Sequence, residues 1–139
     1  MKKEEKNTEQ DLKEKARKII NDVKDDSKSF AKKDIESGKV MGILCYIGIL
    51  VLIPYFTEKN NKYVLYHVKQ GLNLFIWEII GGIAVGIIAA LLWRLWIITN
   101  IIDTVFGLAI LALSLIGIVN VCNGKAKELP IVNKFKFIK

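Results

Sequence analysis

The sequence predicts an all-α integral membrane protein, in which three hydrophobic helices form a helical bundle preceded by a charged amphipathic N-terminal helix. Two observations carry this prediction. Of the 139 residues, 52% are hydrophobic although 25% are charged. The two kinds are also segregated: residues 1–39 hold 12 of the 21 Lys and Arg and 10 of the 14 Asp and Glu, whereas residues 40–122 hold almost all the long apolar runs. Such segregation is typical of a chain whose apolar part lies in lipid.

The net charge of +7 does not indicate a nucleic-acid partner. The N-terminal arm carries only +2 of it, and much of the remainder flanks the hydrophobic segments, where membrane proteins carry anchoring cations. No basic stripe is interleaved with aromatic residues. The expected partners are therefore the lipid bilayer and a second copy or a larger membrane complex.

The charged arm, residues 1–39, contains a predicted amphipathic helix over about residues 9–36, which Ser37 and Gly38 end. Eight acidic and eight basic residues balance its polar face. A helix that lies on a membrane surface is usually more one-sidedly basic. A solvated helix is therefore favoured, and docking on lipid or on a partner is the alternative. Its apolar stripe contains Leu12, Ala16, Ile19, Val23 and Phe30.

The membrane domain, residues 40–122, contains hydrophobic segments at about 40–56, 72–93 and 101–122, and a basic tail follows at 123–139. The first segment has 17 residues, which barely cover a hydrocarbon core of about 30 Å, and Pro54 weakens its last turn. It either crosses the membrane or re-enters. Trp93, Arg94 and Trp96 form an interfacial connection so short that the second and third segments must be an antiparallel hairpin.

The orientation depends on that first segment. Three full crossings would place six flanking cations on one side and eight on the other. If the first segment does not cross, the count becomes 13 against one, with only Arg94 outside. The positive-inside rule prefers the second arrangement. We therefore expect a multi-pass protein of the cell membrane with a cytoplasmic N-terminal arm and a cytoplasmic tail.

Two small-and-acidic stripes are the most informative polar features of the membrane domain. Glu78 shares a helix face with Gly82, and Gly86 follows at the spacing that lets helices approach closely. In the third segment a similar face combines an acid with small residues. Because a carboxylate is costly in lipid, the two stripes are expected to pack against each other. The second stripe consists of Asp103, Gly107, Ser114 and Gly117.

Each candidate residue has a functional and a structural interpretation. Glu78 is either a proton or substrate site, or a hydrogen-bonded carboxyl that joins helices with Asn73 or Gln70. Asp103 is an acid at a helix start, placed to pair with Arg94 near the interface. His67, the single histidine, has either an interfacial structural role or a role in pH sensing or partner contact.

The sequence favours a protein that is not an enzyme. No phosphate-binding loop, HExxH or GxSxG motif is present. Cys45 and Cys122 form no CxxC or Cys/His cluster, so neither a disulfide framework nor a metal site is expected. No catalytic residue and no cofactor is predicted, and a membrane-embedded enzyme stays a remote alternative.

Residues 63–74, YVLYHVKQGLNL, resemble the pattern F-x-x-H-A-x-Q-(A/G/S) at the start of the second helix in a family of small prokaryotic membrane proteins of unknown function. That family is related in pattern to the chloroplast inner-envelope protein-import component Tic-twenty. A stretch from Met41 to Pro54 and the end of the chain, Asn123 to Pro130, also resemble it. The resemblance covers about residues 40–139, and it implies a membrane domain that oligomerises or joins a larger complex.

The leading functional hypothesis is a non-enzymatic membrane scaffold or a translocation-associated component like the import component. Small-residue stripes would mediate packing, and the charged arm would contact cytoplasmic partners. The alternative is a small transporter or an ion or proton conduit that uses Glu78, with His67 at its mouth.

Overall fold

The structure is a computed structural model. It describes the backbone of residues 2–21 and 23–139 and the side chains of residues 5–19 and 23–139. Within these residues the fold is all helical, as predicted, and a single isolated bridge joins Asp25 to Lys127. Among the described residues, two helices, and not the predicted three, are long and apolar enough to cross a membrane. The helices are α1 (Lys2–Asn21), α2 (Lys32–Leu44), α3 (Leu52–Thr57), α4 (Lys62–Leu91) and α5 (Trp96–Cys122).

The predicted single helix over residues 9–36 is wrong, because the chain leaves the helical conformation after α1. The Asp25 carboxylate accepts a hydrogen bond from the Ser27 backbone N–H at 3.0 Å, a local turn that competes with helix formation. The backbone of this segment instead bonds the tail: Asp26 N–H donates to the Ala126 carbonyl at 2.9 Å. Helix α2 then continues through Ser37 and Gly38, so the predicted boundary at residue 39 falls inside a helix.

The first hydrophobic segment is not one continuous helix, because it is broken by a turn and folds back on itself. Helix α2 ends at Leu44, and the chain turns through Gly48, whose φ of 49° lies in the left-handed region that favours glycine. A short 3₁₀ turn, Gly48–Val51, leads into α3, and four residues separate the end of α3 from the start of α4. We call residues 40–57 the re-entrant segment. The name refers to this reversal of the chain, because α3 leads back toward the start of α4.

Close contacts with α4 give the re-entrant segment its direction. A Cβ at Gly38 would lie 2.6 Å from the Val64 side chain, and Gly71 lies directly against the carbonyl oxygen of Cys45. Helix α2 therefore runs alongside α4 in the same direction, and α3 brings the chain back to the start of α4. Glycines at the contact let the two backbones approach closely.

Helices α4 and α5 form the predicted antiparallel hairpin. Their 30 and 27 residues span about 45 and about 40 Å at 1.5 Å per residue, more than a hydrocarbon core needs. Only 6% and 11% of their most apolar stretches are buried inside the protein. The core helices of a soluble protein would be mostly buried, so this exposure indicates that lipid covers the hairpin.

Nearly all buried residues lie at one end of the hairpin. We call this end, residues 23–77 and 113–139, the head, and residues 78–112 the outer hairpin. The tail folds back from the Gly124 turn, whose φ is 65°, and packs on α4. In the outer hairpin only Thr99 is buried. The head core contains Cys45, Tyr46, Val51, Val64, Val68, Leu74, Val121, Leu129 and Val132.

Candidate functional site

A buried hydrogen bond between the re-entrant segment and α4 lies at the centre of the head. The Tyr46 hydroxyl lies 2.8 Å from Nδ1 of His67, and the two side chains are 2% and 0% exposed. The Tyr46 ring lies on Gly117 of α5, where a side chain would overlap it. The Tyr63 and Tyr66 rings meet the imidazole edge-on, with centroids 4.7 and 5.4 Å away. His67 is thus held by the core.

Gln70, one turn further along α4, connects this pair to the tail. Its carbonyl oxygen accepts hydrogen bonds from the Tyr46 hydroxyl at 3.3 Å and from the Leu129 backbone N–H at 3.0 Å. Its amide nitrogen donates to the Lys127 carbonyl at 3.0 Å. One side chain therefore satisfies the backbone of an irregular segment that has no helix or sheet of its own at this point.

Asn73 binds the end of the tail in the same way. Its side-chain oxygen accepts hydrogen bonds from the backbone N–H groups of Phe137 and Ile138, at 2.6 and 2.8 Å, and its nitrogen donates to the Ile138 carbonyl at 2.8 Å. One turn further, Trp77 Nε1 donates to the Phe135 carbonyl at 3.1 Å. Gln70, Asn73 and Trp77 thus form a ladder of polar contacts along which the tail lies.

The segment that precedes α2 closes the head from the other side. The Ser27 hydroxyl accepts a hydrogen bond from the Ala126 N–H at 2.9 Å and donates to the Asp25 carboxylate. The hydrogen bonds from the Ser27 side chain and backbone lower the pKa of Asp25 below its ordinary value of 3.8. Phe30 packs edge-on against Tyr63 and Tyr66, so residues 23–30 belong to the head and not to a free arm.

The structure brings four of the candidate residues from the sequence together in this network: His67, Gln70, Asn73 and Gly117. Glu78 is not among them. Its side chain is exposed, and its carboxylate lies beside the turn at Gly48. Asn73 and Gln70, considered as partners for the Glu78 carboxyl, bind the tail instead.

The two small-and-acidic stripes do not meet within the chain. Gly82, Gly86 and Gly107 have no neighbouring atom within 4 Å of where a Cβ would lie, so each stripe faces outward there. The helices pack instead through Gly81, against which the Phe106 ring lies. The predicted contact between the two stripes is therefore wrong. The Phe106 ring beside Gly81 fills the space between α4 and α5 more completely than two rows of small residues would.

The remaining candidates lie apart from the network. Arg94 and Asp103 are both exposed, and no ion pair joins them among the residues that the structure describes. Ser114 is half-buried on α5. The described residues also contain no group of three His, Cys, Asp or Glu side chains able to hold a metal ion.

Sequence reasoning missed Tyr46 and the tail backbone as parts of the network. Tyr46 carried a usable signal, because a hydroxyl inside an apolar run needs a buried hydrogen-bond partner. The tail carried none, since its contributions are backbone N–H and C=O groups that every residue has.

These features define a class: a helical membrane protein with an apolar two-helix hairpin, a re-entrant segment and a compact polar head. The sequence assigns the family. Residues 37–138 match the magnetosome magnetite crystal formation protein family, and the chain belongs to it. The match covers the head from within α2 to the tail together with the outer hairpin, and it leaves α1 outside.

Three curated relatives agree with this assignment. The chain is 27% identical over 97 residues to the magnetosome protein MmsF of Paramagnetospirillum magneticum, covering 68% of this chain and 80% of that protein. It is 29% identical over 96 residues to MamF of the same organism, covering 69% and 79%. It is 30% identical over 91 residues to MamF of Magnetospirillum gryphiswaldense, covering 63% and 72%. No solved structure matches the chain.

The family match overturns the resemblance to proteins related to the chloroplast import component. The structure gives the residues at 63–74 a packing role. Tyr63 and His67 lie in the core, and Gln70 binds the tail. A short sequence pattern of this kind reflects how helices pack, and unrelated membrane proteins can share the same kind of packing.

Proposed function

We propose that the protein is a non-enzymatic membrane scaffold that acts in the formation of magnetite crystals, as the family description states for its members. The observation that carries the proposal is the extent of the family match, which spans the re-entrant segment, the whole outer hairpin and nearly all of the tail. The shared unit is therefore the complete membrane fold and not a single motif.

The architecture supports a scaffold because it holds a rigid surface at one end of a membrane anchor. The Tyr46–His67 pair, Gln70 and Asn73 tie three chain segments together, namely the re-entrant segment, α4 and the tail. Such a network fixes the position of the tail relative to α4. The outer hairpin offers lipid an apolar surface in which few side chains are buried.

The outward glycine face of α4 supports membrane assembly as part of this role. Gly82 and Gly86 are open, and small residues spaced by four let a neighbouring transmembrane helix approach closely. A second copy or another membrane protein would bury this face together with the exposed Glu78 carboxyl. Assembly of this kind is how a small membrane protein would organise a larger surface.

The position of Glu78 gives no support to the alternative of a conduit within one chain. Its carboxylate is exposed beside the re-entrant turn, while His67 is fully buried and hydrogen bonded to Tyr46. A proton path would need both groups to line one polar cavity.

Complementation tests the proposed function. The chain would be expressed in a Paramagnetospirillum magneticum strain that lacks MmsF, and magnetite crystal dimensions would be measured by electron microscopy. We expect crystal size to shift toward that of the parent strain, and a Gly71→Leu variant, which cannot pack the re-entrant segment, to lose this effect. Membrane-inserted, folded protein that leaves the crystals unchanged would refute a role in their formation.

A further inference from the structure

A cavity of about 350 Å³ lies between α4 and the tail. Gln70 and Asn73 line one side of this cavity, because their hydrogen bonds to the tail set the distance between the tail and α4. The cavity is lined by Tyr66, Lys69, Gln70, Asn73, Glu128, Leu129, Val132, Asn133, Lys136, Ile138 and Lys139.

More basic than acidic side chains line this cavity, although the Asp25 and Asp26 carboxylates also lie near enough to act on Tyr66. Three lysine side chains line it, Lys69, Lys136 and Lys139, against the single carboxylate Glu128. Lys136 lies 2.6 Å from that carboxylate, whereas Lys69 and Lys139 make no ion pair with the part of the chain that the structure describes. An anionic group is therefore the ligand that this lining favours.

A buried hydroxyl points to the same kind of ligand. The Tyr66 hydroxyl oxygen is buried and has no hydrogen-bond partner in the described structure. The neighbouring Gln70 side chain is near enough to act on this hydroxyl, but its carbonyl oxygen already accepts from Tyr46 and Leu129. An unsatisfied buried donor is costly, and a ligand oxyanion would remove that cost. The side-chain oxygen of Asn133, buried in the same lining without a donor, suits a ligand hydroxyl.

The position of the cavity relates it to the membrane. Lys69 is the last cationic residue of α4 before the apolar stretch that runs to Leu91. Val132 also lines a second cavity of about 240 Å³, which lies one to two turns further along α4 toward the outer hairpin. A polar, cationic cavity at the membrane surface is thus followed by an apolar one. The second cavity is lined by Leu74, Trp77, Phe106, Ala109, Ile110, Leu113, Ile131, Val132 and Phe135.

We propose that the first cavity binds the phosphate headgroup of an anionic membrane phospholipid, whose acyl chain follows the apolar second cavity. Lys69 and Tyr66 would donate to the phosphate oxygens, and Lys139 would add positive charge beside them, since Lys136 is paired with Glu128. The shared chemistry is the phosphate oxyanion, and a lipid is favoured over free phosphate because Val132 lines both cavities, so that an apolar cavity adjoins the cationic one.

Native mass spectrometry of the full-length protein in detergent tests this proposal, with added phosphatidylglycerol or phosphatidylcholine as probes. We expect phosphatidylglycerol to bind preferentially and with defined stoichiometry. Lys69→Gln and Tyr66→Phe should each weaken it by roughly tenfold, the effect of losing one hydrogen bond to a charged group. Lys59→Gln, which removes an exposed lysine outside the cavity, should leave binding unchanged.

Three results would overturn the proposal. Equal binding of the two lipids, which share the phosphate group and differ in net charge, would show that the site does not select an anionic phospholipid. Equal weakening by Lys59→Gln would show that general surface charge is responsible. Full displacement of phosphatidylglycerol by millimolar inorganic phosphate would show an ion site without a lipid chain. Circular dichroism establishes that each variant is folded, and because no crystals are involved, failure here leaves the proposed function intact.

Discussion

The Tyr46 hydroxyl and the His67 imidazole form a buried hydrogen bond that joins the re-entrant segment to α4, with an O–N distance of 2.8 Å. Replacing Tyr46 by Phe keeps the ring against Gly117 but leaves Nδ1 of His67 without its partner. We expect the free energy of unfolding to fall by about 1–3 kcal/mol, the cost of an unsatisfied buried polar group. Thermal unfolding in detergent would measure it.

The matched control for this substitution is Tyr55→Phe. Tyr55 is 47% exposed, so removing its hydroxyl should leave stability within about 0.5 kcal/mol of the parent protein. Equal effects of the two substitutions would show that the buried pair does not stabilise the head.

Two glycines of α4 should respond to alanine in opposite ways. A Cβ at Gly71 would overlap the Cys45 carbonyl, which is backbone and cannot move aside cheaply, whereas Gly82 has open space around it. We expect Gly71→Ala to reduce the yield of folded protein sharply. Gly82→Ala should be neutral or stabilise the helix by up to about 1 kcal/mol. Size-exclusion profiles and thermal unfolding in detergent distinguish these outcomes.

The Gly82 variant also tests assembly separately from folding. If the α4 face that contains Gly82 packs against a partner helix, Gly82→Leu should reduce oligomer formation while the monomer stays folded.

A Gly71→Ala protein as stable as its parent would contradict the close backbone contact on which the re-entrant segment depends.

The sequence predicted the hairpin correctly because length and composition alone determine it. The apolar runs that form α4 and α5 are long enough to span a membrane, and the short Trp93–Arg94–Leu95 connection requires the two helices to be antiparallel. The break in the first segment could not be predicted in the same way. It depends on the contact of Cys45 with Gly71, 26 positions later, and local patterns carry no signal for a contact at that separation.

The polar residues illustrate a second limit. Gln70 and Asn73 stood out in the sequence as polar groups at the start of an apolar helix, and the structure shows them bonded to backbone groups of the tail. The expectation that they would pair with Glu78 considered side chains only. Backbone donors outnumber side-chain donors in any protein, so a buried amide is more often satisfied by them.

Removing the Asn73 side chain should release the end of the tail. Asn73→Ala eliminates the hydrogen bonds to Phe137 and Ile138, and no neighbouring element replaces them. We expect amide hydrogen exchange over residues 133–139 to accelerate by at least about tenfold, while exchange in α5 is unchanged. Asn100→Ala, which removes an exposed amide bonded only within its own helix, is the control. Unchanged tail exchange would show that the Trp77 contact suffices.

The re-entrant segment makes a sharp prediction about membrane sidedness. If the chain enters and returns between residues 40 and 57, single cysteines at Glu9, Asn60 and Lys125 should all be labelled from one side, and a cysteine at Ile97 from the other. Cys45 and Cys122 would be replaced by Ser or Ala beforehand. Labelling with an impermeant maleimide in oriented vesicles, with and without permeabilisation, gives the accessible side of each position. If the first segment crossed fully, positions 60 and 125 would both lie on the side opposite position 9.

The re-entrant arrangement leaves Arg94 as the single flanking cation on its side, with 13 on the other, which is the distribution that the positive-inside rule favours. Labelling of positions 9 and 60 from opposite sides would therefore refute both the re-entrant fold and the charge argument together.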